Sequence, residues 1–293
     1  MPKYLIDTNI SEKQVEIDVA NFLGFASKTI GQFRILDSNE NKTGADCEFN
    51  SGIPIYIQFK KSYGLNPISR VPYSERRNAA LADRLRVYRN KNKLKDNPSL
   101  FFELRKKAKH ANNLQHNILL SYHRPSLSYA VYVAPLETDL QKYNANLFSS
   151  ASGVSKGMFP FKYKNYTINM VNMFRFIPFL RGHISIVPHT TVKTHKHAYA
   201  YSTSGDDISW HSPSIISRDP SLFSEFIADR FLSVFSESPR QEEEILQHLY
   251  GIVTENTHNP QDIFQGNTVS ERIHSHGKWL YKMYGINQYI LCI

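Results

Sequence analysis

The spacing of apolar residues changes character within the first sixty positions. In "ISEKQVEIDVANFLGF", Val15, Val19, Phe22 and Leu23 recur at helical spacing, Ser11 stands where an N-cap would, and Gly24 offers a stop, so the pattern predicts a helix over 11–23. "KTIGQFRILDSNE" predicts a strand around Phe33 to Leu36. Residues 43–62, "TGADCEFNSGIPIYIQFKKS", then alternate strictly. Cys47, Phe49, Ile53, Ile55, Ile57 and Phe59 fall on one parity; Asp46, Glu48, Tyr56, Gln58 and Lys60 fall on the other. This predicts an antiparallel hairpin turning at Asn50, Ser51 and Gly52. A three-residue turn would set Phe49 opposite Ile53 and Asp46 opposite Tyr56, making Asp46 a diagonal, same-face neighbour of Gln58.

Further along, "RVPYSERRNAALADRLRVYRNKNKLKDNP" predicts a helix from about Ser74 followed by a polar linker. "FFELRKKAKHANNLQHNILLSYH" reads as a second basic helix running into the apolar strand "LSYAVYVAPL", and a helix feeding a buried strand suggests an α/β sheet. Short aromatic and β-branched runs from 166 to 216 predict more strands. "PSLFSEFIADRFLSVF", "RQEEEILQHLYGIV" and "SERIHSHGKWLYKMYG" predict helices. With no repeat and no low-complexity tract, the reading is one continuous domain. Its core spans 1–135 with a basic insertion at about 63–110, and 136–293 continue it with strands and then helices.

Charge adds a partner to this picture. The 293 residues carry a formal charge of +9. Between Arg70 and Lys109 there are 13 Lys or Arg against 4 acidic residues, and 13 minus 4 equals that whole excess. Such a concentration points to a polyanion, nucleic acid first. Arg76, Arg77, Arg84, Lys106, Lys107 and Lys109 are the candidate phosphate contacts. Two cysteines, Cys47 and Cys292, give no disulfide framework and fit a reducing compartment. The start "MPKYLIDTNI" lacks a signal-peptide core and no run is apolar enough to span a membrane, so a soluble, cytoplasmic protein is expected. Most of the 17 Tyr and 18 Phe are expected in the core.

The polar parity of the hairpin is where chemistry would lie if it faces a cleft. Asp46 offers oxygen to a hard cation, Lys60 leaves the strand on the side of Gln58, and Glu12 or Glu16 on the preceding helix could add a carboxylate. A helix glutamate, then "GAD", then "QFK" resembles the PD-(D/E)XK nuclease superfamily, in the branch with Gln in place of the second acidic residue. That resemblance implies a restriction-endonuclease-like αβββαβ core with a mixed sheet, Mg²⁺- or Mn²⁺-dependent phosphodiester hydrolysis, and DNA as the usual substrate. It implies Asp46 and Glu12 or Glu16 as metal ligands, Lys60 as the catalytic lysine, and Gln58 in the usual acidic position. Spacing from Gly24 favours Glu12. Ala45 stands where the family's proline would be.

The plain alternatives are a solvated strand face with a Glu48–Lys60 surface pair, and solvated basic helices. His195 and His197 would share one side of a strand, but with no acidic residue or cysteine nearby they read as structural or surface residues, as do His211, His274 and His276. The expected function is a nuclease, by analogy in defence against foreign DNA, acting as a homo-oligomer or with a partner protein of a defence system. The rivals are a non-cleaving nucleic-acid-binding protein on a nuclease-like fold, and a structural subunit with an acidic protein partner.

Overall fold

Both edges of the Gly52–Phe59 strand are filled, and neither neighbour comes from the adjacent sequence. This emerges from a computed structural model of the chain, which describes residues 5–30, 34–37, 51–67, 80–94, 98–155, 174–210, 215–217, 221–235, 242–255, 257 and 263–292. Among these residues the protein is mixed α/β, with two six-stranded sheets. The strands are β1 Leu5–Ile6, β2 Arg34–Asp37, β3 Gly52–Phe59, β4 Tyr63–Leu65, β5 Ser99–Glu103, β6 Tyr129–Pro135, β7 His183–Ile186, β8 Ala198–Ser202, β9 Ile208–Trp210, β10 Ile215–Ser217, β11 Ser221–Leu222 and β12 Asn287–Cys292. The helices are α1 Glu12–Ile30, α2 Ala80–Lys91, α3 Gln115–Ser121, α4 Leu140–Ser155, α5 Pro178–Arg181, α6 Phe223–Phe235, α7 Glu242–Glu255 and α8 Val269–Tyr284. No helix among the described residues is long and apolar enough to cross a membrane.

The first sheet runs β11-β7-β6-β3-β12-β2 and the second β1-β4-β5-β8-β9-β10. In the first, β3 and β6 are parallel and every other pair is antiparallel, so the sheet is mixed, as expected. The expected hairpin is corrected: Tyr56 stands between Gln288 of β12 and Ala130 of β6, so β12 fills the place assigned to the strand of Asp46. Residues 38–50, with Asp46 and Glu48, lie outside the described residues.

The odd parity of β3 behaves as read. Ile53, Ile55, Ile57 and Phe59 pack against Val15, Val19, Phe22 and Leu23 of α1, together with residues of α4, α5 and α6. The even parity is not a wet face. Tyr56 shares a second core with Tyr132 of β6, Leu100 and Phe102 of β5, Tyr199 and Tyr201 of β8, and Leu280 of α8. Sheet therefore stacks on sheet, and the polar residues of β3 are enclosed between them.

Two helix expectations need revision, and a third is described only in part. α1 continues through Gly24 to Ile30, because a Cβ at Gly24 would touch nothing within 4 Å and nothing there forces the chain to turn. The described part of the first basic helix is Ala80–Lys91, while Ser74 lies outside the described residues. The second basic helix is mostly not helical. Leu100, Phe102 and Leu104 enter the inter-sheet core while Phe101 enters a core on the opposite face, a two-residue period that makes 99–103 a strand. Residues 104–114 are irregular, and only Gln115–Ser121 forms a helix. The expectation of further strands within 166–216 is met by β7 to β10, although 178–181 is a short helix, and the three C-terminal helices are present.

One arginine of the basic segment belongs to the fold. Arg89 is fully buried; it donates to Ser99 Oγ (3.0 Å), Ala200 O (3.2 Å), Ser209 Oγ (3.1 Å) and Asp207 Oδ1 (2.5 Å), clamping α2 to three strands and the β8–β9 turn. Removing one partner strands the other charge in the interior. Arg89→Met is expected to lower unfolding stability by about 3 kcal/mol in urea titration, and adding Asp207→Leu to restore part of it. A loss under about 1 kcal/mol would mean that water already reaches the pair.

Candidate active site

α1 opens on a side-chain cap: Ser11 Oγ accepts from Gln14 N–H at 3.0 Å. Its apolar stripe fixes the helix on the odd face of β3. Its first turn reaches the carboxyl end of that strand, where Glu12 Oε1 stands 3.7 Å from Lys60 Nζ. Lys60 is held from its backbone as well, since its N–H donates to Val133 O at 2.9 Å and extends the parallel ladder. The Lys60 side chain is 2% exposed and that of Glu12 47%, so a buried ammonium meets a half-open carboxylate. Burial pulls the Lys60 pKa below the ordinary lysine value; Glu12 pushes it back up, and the Arg105 guanidinium pulls it down again.

Glu12 and Glu16 separate cleanly. Glu16 binds Lys13 at 2.5 Å, and Lys13 also donates to Tyr281 OH at 3.1 Å. Only Glu12 of the two forms an ion pair with Lys60 among the described residues. The Gly24 spacing that favoured Glu12 has lost its basis, since Gly24 does not end the helix.

Gln58 is buried and spoken for. Its Nε2 donates to Phe59 O at 2.9 Å, and its Oε1 accepts from Gln115 Nε2 of α3, which also donates to Tyr284 O at the end of α8. Gln115 Oε1, also buried, has no partner among the described residues. Beside the lysine opens a cleft of about 360 Å³, lined by Glu12, Lys61, Tyr63, Phe102 and Glu103. Lys61 Nζ lies 4.5 Å from the Tyr63 ring centre there.

The basic residues divide. Arg76 and Arg77 lie outside the described residues. Arg84 is exposed on α2, and Lys106, Lys107 and Lys109 are exposed on the irregular 104–114 segment rather than on a helix.

The histidines mostly follow the structural reading, though not as a strand. His195 and His197 sit in a loop before β8; the His197 ring stacks on Trp210 at 5.1 Å, and His189 meets the same indole edge-on at 4.9 Å. His276 is enclosed between Gln288 (2.6 Å) and Tyr122 OH (2.9 Å). His211 lies outside the described residues.

For a hard cation, Glu12 is suitable in kind, a half-open carboxylate beside the lysine. Among the described residues no three acidic, histidine or cysteine side chains converge on one point, and Asp46 lies outside them. The chain matches no protein-family model, no curated protein and no solved structure. The site therefore rests on its own geometry. Sequence reasoning missed Gln115, Arg105 and β12. Gln115 carried no signal, and Arg105 was hidden in a stretch read as one helix face.

Proposed function

We propose that the protein is a metal-dependent nuclease that hydrolyses phosphodiester bonds, with DNA as the substrate. The observation that carries the reading is the Glu12–Lys60 pair: two residues 48 positions apart, assigned to one site from the sequence, meet at 3.7 Å at the end of β3. A cytoplasmic role in defence against foreign DNA fits the charge and the reducing-compartment cysteine usage.

Lys60 supplies a fixed positive charge in a site that excludes water on one side. There it favours negative charge developing on phosphate oxygens and donates to a water or an oxyanion. Glu12 balances that charge at rest and leaves an oxygen facing the cleft. Gln58 acts through the strand end: tied to Gln115 and Phe59 O, it holds the backbone from which Lys60 projects. Mg²⁺ or Mn²⁺ held by Glu12 and Asp46 would supply charge neutralisation and an acidified water.

Supercoiled plasmid, single-stranded DNA and RNA incubated with the protein in Mg²⁺, in Mn²⁺ and in EDTA test the reading. Metal-dependent nicking of DNA is expected. Glu12→Gln and Asp46→Ala are each expected to remove most of it, because each takes away a carboxylate that would hold the metal. Salt-sensitive DNA binding with no cleavage in either metal would instead select the non-cleaving reading, which the engagement of Gln58 Oε1 by Gln115 favours. Absence of DNA binding at low salt would leave the acidic protein partner.

A further inference from the structure

Arg105 follows β5 and Leu104, on the first exposed residues of the basic 104–114 segment. Its guanidinium is laid over the bare Cα of Gly285, which caps α8 in the left-handed conformation (φ 64°). A Cβ at Gly285 would stand 2.6 Å from Arg105 Nη1 and 3.6 Å from Gln115 Nε2. The two nitrogens are thus no more than 6.2 Å apart, the sum of those distances. Gln115 is the residue that grips Gln58, so Arg105 sits over the Gln115–Gln58 bridge, close enough for its charge to reach Lys60. Among the described residues Arg105 has no carboxylate within ion-pair distance and no hydrogen-bond partner. An exposed guanidinium beside Gly285 and Gln115, without a carboxylate of its own, is poised for an anion. Its planar fork matches two oxygens of one phosphate. Lys106, Lys107 and Lys109 follow directly, a path along which a phosphate backbone can run to it. The buried, unpartnered Gln115 Oε1 beside it calls for one more donor, such as a bound water.

We infer that Arg105 is a phosphate-binding residue of the Lys60 site, gripping two non-bridging oxygens of a nucleic-acid backbone whose neighbouring phosphates lie along Lys106, Lys107 and Lys109. The inference rests on the nucleic-acid reading above, but part of its test does not require cleavage. Glu12 and Glu103 line the neighbouring cleft, where they disfavour a phosphate, and Arg105 is not among the residues that line it.

The probe is a 5′-fluorescein-labelled 20-base-pair duplex. Its affinity is followed by anisotropy in EDTA across a KCl series, for wild type, Arg105→Gln, Arg105→Lys and Lys107→Gln. Arg105→Gln is expected to reduce the slope of log affinity on log salt by about 0.9, and Arg105→Lys to keep the slope. Single-turnover cleavage in Mg²⁺ at saturating protein separates seat from path. There Arg105→Gln and Arg105→Lys are expected to fall at least tenfold, because a point charge does not replace a fork, while Lys107→Gln, which loses only a contact of the path, falls less than either. An Arg105→Gln protein with unchanged slope overturns the inference, whatever the wild type cuts. A wild type that never cuts, combined with the lost slope in Arg105→Gln, sinks the nuclease reading and keeps the phosphate seat. Cleavage by Arg105→Lys equal to wild type overturns the two-oxygen grip.

Discussion

Replacing Lys60 by methionine is expected to slow phosphodiester cleavage about 10²- to 10³-fold while leaving the protein as stable as before, or slightly more so. The rate follows from removing one preorganised donor aimed at developing charge, a loss usually in that range. The stability follows from burial. Lys60 is 2% exposed, and the desolvation that depresses its pKa also costs folding energy, against which a 3.7 Å contact with a half-open carboxylate returns little. Methionine keeps the length of the side chain and fills its volume, whereas alanine would leave a cavity and confuse the two effects. Rates under single turnover, thermal midpoints and duplex affinity in EDTA are the measurements. A Lys60→Met protein that cuts at the wild-type rate would reduce the ammonium to a structural oddity. One that unfolds several degrees lower would make it a structural anchor.

Acid should unfold the protein well before its carboxylates are all protonated. His116, His183 and His276 are buried, and burial pushes the pKa of each down to about 4. Burial favours the neutral ring in each, and the hydrogen bonds are compatible with it. His116 donates from Nε2 to Thr190 O and accepts from Tyr132 OH. His183 donates from Nδ1 to Phe179 O, and His276 donates from Nδ1 to Gln288 Oε1 and accepts from Tyr122 OH. In the unfolded chain each would titrate near pH 6.5. Above that value both states are neutral and pH has no effect through these groups. As pH falls from 6.5 to 4 the unfolded chain takes up protons that the folded one refuses, and stability declines throughout that window. Each ring contributes roughly 3 kcal/mol by pH 4, on the order of 10 kcal/mol together, comparable to the stability of an ordinary domain. Urea midpoints from pH 7.5 to 4 should be flat above about 6.5 and then drop steeply. A midpoint constant down to pH 4.5 would mean that these rings are protonated in place.

The elements that sequence patterning captured carry their partners within themselves. β6 is one buried apolar run, α1 one capped stripe, and α6 to α8 strong amphipathic helices. Its failures came where the partner is remote. Alternation says that β3 needs a neighbour on each edge but not which one, and "NQYILC" of β12 is a short run ending in four apolar residues, with no pattern that ties it to β3. The same remoteness misjudged the polar parity, since only the second sheet decides whether Gln58 and Lys60 meet water or Tyr and Phe rings. That a glutamate of α1 would share a site with Lys60 was legible, because α1 packs on the strand that Lys60 follows; which of Glu12 and Glu16 it would be was not. Arg105 was not, because its place depends on Gly285, 180 residues away in sequence.

The position of β12 makes the site a late product of synthesis. The strand that carries Gln58 and Lys60 has a partner on one edge once residue 135 is made, and on the other only when residues 287–292 have left the ribosome. Gly285, on which Arg105 rests, and Tyr284 O, which anchors Gln115, arrive with it. Until then the growing chain holds an open strand edge that invites misassociation, and the end of β3 that carries Gln58 and Lys60 lacks its support.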